Sequence, residues 1–250
     1  MNIEEIHAAA VSIKDTLGLR SFPVGVSIIK EGENTSAPLL SNHRYCQALM
    51  RARHGEAVSI KAEGLACPAA ARAFGFRPLP EKLASGEGLV GFGIVREPST
   101  ARTMFEGMTV FSPGEINGLE LFPLEKATRT PDVIVVEDEV ENLMWIALAA
   151  LNVDGGERVR SSTAILQATC VDSFVIPFKE DRLNLSYGCY GCRDATDMQP
   201  GEAIAGFPWR LLKPISEHLE YLGEKAIPAS RSKRAYSQLR SSSGNVVQCN

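Results

Sequence analysis

Apolar side chains at Ile6, Ala10, Ile13 and Leu17 recur at helical spacing, which predicts a helix over Ile3–Leu17 with Gly18 as its stop. Pro23–Ile29 (PVGVSII) then reads as a strand rich in β-branched residues. Glu31–Ser41 is polar and reads as a loop, after which Asn42 is placed to cap a helix that runs to about His54 and closes at Gly55. A second strand, Ala57–Lys61, leads through Glu63 and Gly64 to Cys67-Pro68, where AAARAF is helical in pattern up to Gly75. Between Glu81 and Pro123, glycines separate short apolar runs (LVGFGIV, MTVF, LELF), a pattern that predicts short strands and turns.

From Pro131 the order starts again. Asp132–Val136 (DVIVV) is a buried-type strand, and Glu141–Leu151 is an apolar helix. Ser161 or Ser162 is placed to cap a short helix ending near Cys170, Phe174–Ile176 and Leu183–Tyr187 read as strands, and Pro208–Leu222 as the last helix. Alternating strands and helices point to an α/β fold in three layers. Two pseudo-repeated α/β halves, about 1–80 and 124–228, are expected to share a mixed sheet within one domain, 1–228, joined by the glycine-rich segment 81–123. After Ala229, Arg231, Lys233, Arg234 and Arg240 lie among serines with no acidic residue, so 229–250 reads as a basic, flexible tail.

Composition narrows the class. At 250 residues the chain suits one large domain or two small fused ones. Apolar residues at 44% and charged residues at 22% set aside disorder, collagen and coiled coil. The formal charge of -4 carries no electrostatic footprint for nucleic acid. No apolar run is long enough for a membrane span, and Met1–Leu17, with Glu4 and Glu5 early, does not resemble a signal peptide. A cytoplasmic location is expected.

In a reducing compartment, clustered thiols favour metal or redox chemistry, although a free cysteine also packs as a small hydrophobe. Cys46 and Cys67 are 21 residues apart, and Cys170 and Cys189 are 19 apart. Each pair brackets a predicted helix, a turn and a strand, so the four thiols are expected to meet between the halves. Four convergent thiolates satisfy tetrahedral zinc or an iron–sulfur cluster. Cys67-Pro68 tilts the choice toward a [4Fe-4S] cluster, because proline follows a ligating cysteine in the ferredoxin run.

In GCYGC, Gly188 and Gly191 permit backbone angles that turn amide groups toward sulfur or an anion. Cys192 is an additional candidate ligand, and Cys189 with Cys192 is alternatively a C-x-x-C redox pair. That option ranks below ligation, since the usual redox motif opens a helix and this one is split by glycine. Arg44 and Arg193 are candidates to frame an anionic ligand. His43 is a candidate ligand or helix cap, and Glu137-Asp138-Glu139 suits the start of a helix. Cys249 is assigned to the tail. No G-x-S-x-G or H-E-x-x-H signature is present.

The ordered motifs PVGVSII, RYCQALMRARHGE, CPAAARAFGF, PLEKATRTPDVIVVEDEVENLM, ATCVDSFVIPF and LSYGCYGCR resemble the DUF169 family over roughly Leu17 to Leu222. The resemblance places the family's recurring cysteines at Cys46, Cys67, Cys170 and Cys189 and its arginine at Arg193, whereas relatives often carry another small residue at the position of Cys192. It implies an iron–sulfur protein of anaerobic or redox metabolism and supplies no reaction. The expected function is therefore electron transfer, or cluster-assisted binding or redox chemistry of a small molecule. A structural zinc scaffold and a C-x-x-C thiol oxidoreductase are the alternatives. The expected partner is a redox protein or a small anionic ligand, with neither nucleic acid nor membrane, and with a homodimer left open.

Overall fold

The computed structural model describes residues 1–164 and 166–242. The first element, α1 (Ile3–Leu17), is closed at both ends by local chemistry. Asn2 and Glu5 form a reciprocal capping box, and Gly18 takes the left-handed conformation at φ 69° that ends the helix. The chain continues through β1 (Val24–Ile29), α2 (Tyr45–Arg53), β2 (Val58–Lys61) and α3 (Pro68–Ala73). Three short helices follow, α4 (Glu81–Ala84), α5 (Glu87–Gly91) and α6 (Pro98–Glu106), before β3 (Gly118–Pro123). Next come β4 (Val133–Glu139), α7 (Val140–Val153), a π-helix over Ala168–Val175 running into α8 (Ile176–Glu180), β5 (Asn184–Ser186) and α9 (Tyr190–Ala195). The last elements are β6 (Glu202–Pro208), α10 (Leu212–Glu224), α11 (Ala226–Arg231) and α12 (Arg234–Ser242).

The six strands form one sheet in the order β2-β3-β1-β4-β6-β5. Every strand pair in it is antiparallel, which corrects the expected mixed sheet. The parallel contacts are two isolated bridges outside the strands, Leu39 to Ser59 and His43 to Leu65. A continuous apolar strand shows that both faces are covered, but it carries no information on direction. Both faces are indeed covered. Val133 and Val135 of β4 pack with α2, α3, α6 and the π-helix, while Ile134 and Val136 pack with α1, α7 and α10.

Several elements differ from the sequence reading. Helix α2 starts at Tyr45 with Arg44 as its N-cap, and Asn42 lies outside it at φ 55°. LVGFGIV falls in and just after α5 and MTVF is irregular, so only LELF of the three runs becomes a strand. Ser161 and Ser162 precede no helix. The turn begins instead after Gln167, itself left-handed at φ 60°. Phe174–Ile176 is helical, because these residues pack on the sheet from one side: Phe174 is enclosed by Tyr45, Phe74, Phe111 and Phe178. Strand β6 (EAIAGFP) was not foreseen, its large apolar residues Ile204 and Phe207 being separated by Ala205 and Gly206. The basic segment after Ala229 enters α11 and α12, which are separated by a turn where Lys233 has φ 50°, and Arg231 docks by donating to the carbonyl of Leu17 and to Asn142 Oδ1. Cys249 lies outside the described residues. Among the described residues no helix is long and apolar enough to cross a membrane.

Candidate functional site

Four separate elements bring their cysteines to one cavity of about 350 Å³. Cys46 is in the first turn of α2, and Cys170 in the first turn of the π-helix. Cys67 and Cys189 occupy matching positions: each is the N-cap of the short helix that follows an edge strand, α3 after β2 and α9 after β5. Pro68 fits the first turn of α3, where its missing N–H costs nothing. Cys192 sits one turn into α9 and completes a wall of five thiols. Four are almost enclosed, with 6 to 8% exposure, and Cys67 is half-buried.

The C-x-x-C pair opens α9, contrary to the expectation that glycine would split it from a helix. Gly188, at φ 80°, makes the turn that leads Cys189 into the helix, a conformation that side chains resist. An alanine Cβ there would also meet the Met198 thioether at 2.7 Å. Cys189 Sγ lies 2.9 Å from Cys192 Sγ and accepts from the Cys192 N–H at 3.3 Å. Thr169 on the π-helix donates its hydroxyl to Cys192 Sγ at 3.0 Å. Burial pushes the Cys170 thiol well up, reinforced by Cys67, Cys192 and Cys189. The hydrogen bond with Cys192, then burial, raise Cys189 strongly. For Cys192 the bond from Cys189 pulls down, but Cys46 and burial outweigh it and leave the thiol pushed up to about 12. In the metal-free chain these three are therefore neutral thiols at pH 7.

Arg44 lines the cavity and donates through Nη1 to the Gly191 carbonyl at 2.8 Å, which ties α2 to α9. A Cβ at Gly191 would stand 3.5 Å from Nη1, in ordinary van der Waals contact with that guanidinium. Arg193 is placed differently. Its guanidinium donates to the carbonyls of Tyr187, Gln199 and Glu202 and is absent from the cavity wall, so it holds the loops around α9. His43 Nδ1 lies 2.7 Å from the Ser41 carbonyl, outside the cavity wall. Asp138 accepts from the Glu139 N–H and from Asn142 at the start of α7. Glu137 faces the buried Arg53 at the end of α2, which also pairs with Asp197 beyond α9.

Sequence reasoning missed the rest of the site. Leu83, Leu89 and Phe105 from α4–α6 add apolar side chains to the cavity lining, together with the exposed Phe92 and Tyr190. The glycine spacing that suggested strands concealed this lining. Tyr45 was also missed. It lines the cavity, its ring packs against Phe74 and Phe174, and its buried hydroxyl has no hydrogen-bond partner among the described residues. Burial, followed by Cys170 and Cys46, raises that phenol well above its ordinary range, so it is a donor awaiting an acceptor.

Among the described residues no three His, Cys, Asp or Glu side chains are gathered closely enough to hold a metal ion. A single zinc draws four sulfurs to within about 2.3 Å of one point. A cluster spreads its thiolates around a larger inorganic core. Here five thiols and Tyr45 share the lining of one cavity, with no three of the thiols gathered at a single point among the described residues.

The DUF169 family model, described as uncharacterised ArCR, matches residues 12–218. No curated protein and no solved structure matches the sequence. With the match spanning both cysteine pairs and every strand of the sheet, the chain belongs to the DUF169 family.

Proposed function

We propose that this chain is a cytoplasmic iron–sulfur protein that carries a [4Fe-4S] cluster on Cys46, Cys67, Cys170 and Cys189. The observation that carries the reading is the meeting of thiols from α2, α3, the π-helix and α9 at one cavity, although they span residues 46 to 192. Such a set is soft, supplies at least four donors and is walled by apolar groups, all of which suit a cluster. When bound, the cluster supplies one-electron redox chemistry or an iron site for a small molecule. The chain's own residues enclose the thiols, hold α2 against α9 through Arg44, and offer the Tyr45 hydroxyl as a hydrogen-bond donor.

Strand register supports a reading of two related halves. The order of the sheet is the same from either edge when β1, β3 and β2 exchange with β4, β6 and β5. Gly25 pairs with Ile134 at the centre, Gly25 also pairs with Phe122, and Ile134 with Phe207. Both phenylalanines precede a proline and a 3-10 turn. An internal two-fold of this kind places one thiol from the helix before each edge strand and one from the cap after it. Convergence of the two pairs is then a consequence of the duplication.

The thiol oxidoreductase alternative is weakened by the raised thiols of Cys189 and Cys192, since the thiolate is the nucleophile. Anaerobic reconstitution with iron and sulfide, followed by ultraviolet–visible and EPR spectra, tests the proposal. A brown protein with a reducible cluster signal is expected, with the colour lost in Cys46→Ser, Cys67→Ser, Cys170→Ser and Cys189→Ser. A colourless chain that retains one zinc and no sulfide contradicts it.

A further inference from the structure

The cavity holds one thiol more than a cubane needs, and the surplus sulfur touches a proposed ligand. We infer that Cys189 and Cys192 form a reversible disulfide site that competes with cluster loading, a role that rests on the cluster reading for its consequence but not for its chemistry. The two sulfurs are 2.9 Å apart in the chain as folded, three residues apart at the start of α9. A disulfide requires about 2.05 Å, so closure asks for less than about 1 Å of approach. The Cys192 N–H already points at Cys189 Sγ, and Thr169 fixes Cys192 Sγ from the opposite side. Both sulfurs form part of the cavity wall, which gives a small oxidant a route to them despite their burial.

The oxidant class is a low-molecular-weight disulfide such as oxidised glutathione. Because both thiols are raised, exchange is slow and runs through the small thiolate fraction of Cys189 or Cys192, which attacks one sulfur of the oxidant; the oxidant's S–S bond breaks to release one thiol and leave a mixed disulfide on the protein. The second cysteine then attacks the protein sulfur, forming the intramolecular S–S bond and releasing the second small thiol. Two electrons and two protons pass from the protein pair to the oxidant. The product lacks the Cys189 thiolate that a cluster requires, so oxidation blocks loading and reduction restores it. A bound cluster, by occupying Cys189, protects the pair. Cys46 also lies within side-chain reach of Cys192, so it is the competing partner in this cavity, and the 2.9 Å approach within the C-x-x-C pair favours Cys189.

The test incubates the metal-free full-length chain in glutathione buffers of increasing oxidised fraction, then alkylates and digests it with trypsin. Leu183–Arg193 contains both cysteines and no other. This peptide is expected to resist alkylation and to weigh about 2 Da less than its reduced form, reversibly with dithiothreitol. Iron uptake by the oxidised chain is expected to fall more than about tenfold and to return on reduction. Reduced Cys192→Ser is expected to load iron and, after oxidation, to carry one glutathione on Leu183–Arg193 in place of the internal bond, whereas Cys189→Ser does not load. Two alkylated thiols in that peptide under oxidising buffer, or a bond from Cys192 to Cys46, overturn the inference. Loss of iron uptake in reduced Cys192→Ser also overturns it, by making Cys192 a ligand. If no chain takes up iron yet the peptide disulfide forms, the disulfide stands and the cluster reading fails.

Discussion

Replacing Tyr45 by phenylalanine removes one oxygen and leaves the ring in place against Phe74 and Phe174, at centroid separations of 5.1 and 6.1 Å. The hydroxyl is enclosed and has no partner among the described residues. A buried polar group left unsatisfied costs about 1–3 kcal/mol, so Tyr45→Phe is expected to stabilise the metal-free protein by that amount. For a chain of this length each kcal/mol moves the melting temperature by about 2–4 °C. In the loaded protein the sign reverses. A cluster bound as proposed would bring sulfur into the cavity that Tyr45 lines, and the hydroxyl would then serve as a donor that stabilises negative charge. The variant's cluster is expected to have a lower reduction potential, since the reduced form is the more negative. Differential scanning calorimetry on the metal-free and loaded forms of both proteins gives the cycle, and redox-poised EPR gives the potential. A Tyr45→Phe variant that melts lower without metal, or whose potential equals that of the native chain, refutes the argument.

Two further expectations concern the frame of the site. Burial, opposed in part by Arg53 and assisted by Glu202 and Asp197, pushes Glu137 up to about 7 from 4.5. The folded chain thus keeps a proton that the unfolded chain gives up, so the part of the stability that Glu137 contributes is fullest below pH 4.5 and declines by roughly 3 kcal/mol toward pH 7. Urea midpoints measured from pH 4.5 to 8 are expected to show a flatter profile in Glu137→Gln, and an unchanged slope contradicts the assignment. At Gly206 an added Cβ would stand 1.8 Å from the Ser173 carbonyl of the π-helix. Gly206→Ala is expected to destabilise the fold by about 1–3 kcal/mol and to displace Cys170, read as faster alkylation of that thiol. Unaltered stability and reactivity would show that the π-helix does not rest on β6.

The legible parts of this molecule are those where one local signal dominates. Helix α1 is set by its apolar period, Asn2 and Gly18, and β1 and β4 by β-branched runs between turns. The cysteines stand out by type and spacing alone. Tertiary packing, which no local pattern carries, decided the rest. Phe174 and Val175 are as β-branched and aromatic as any strand, yet they lie in a helix enclosed by Tyr45, Phe74 and Phe111. In β6 the π-helix approaches so closely at Gly206 that only glycine fits, and with Ala203 and Ala205 this interrupts the β-branched run that announces a strand. Tyr45 resembled any core aromatic in sequence, and only its unpaired oxygen beside Cys46 and Cys170 gives it another meaning. The apolar side chains added to the cavity lining come from helices only four to nine residues long, below the length at which a helical period can be read.

Native mass spectrometry of the anaerobically purified intact chain, sprayed from a volatile buffer at neutral pH, tests the central claim most directly. The account predicts an adduct of about 350 Da, the mass of four iron and four sulfide, that disappears in Cys46→Ser and Cys170→Ser. A chain that flies with one zinc ion, or bare after reconstitution with iron and sulfide, contradicts it.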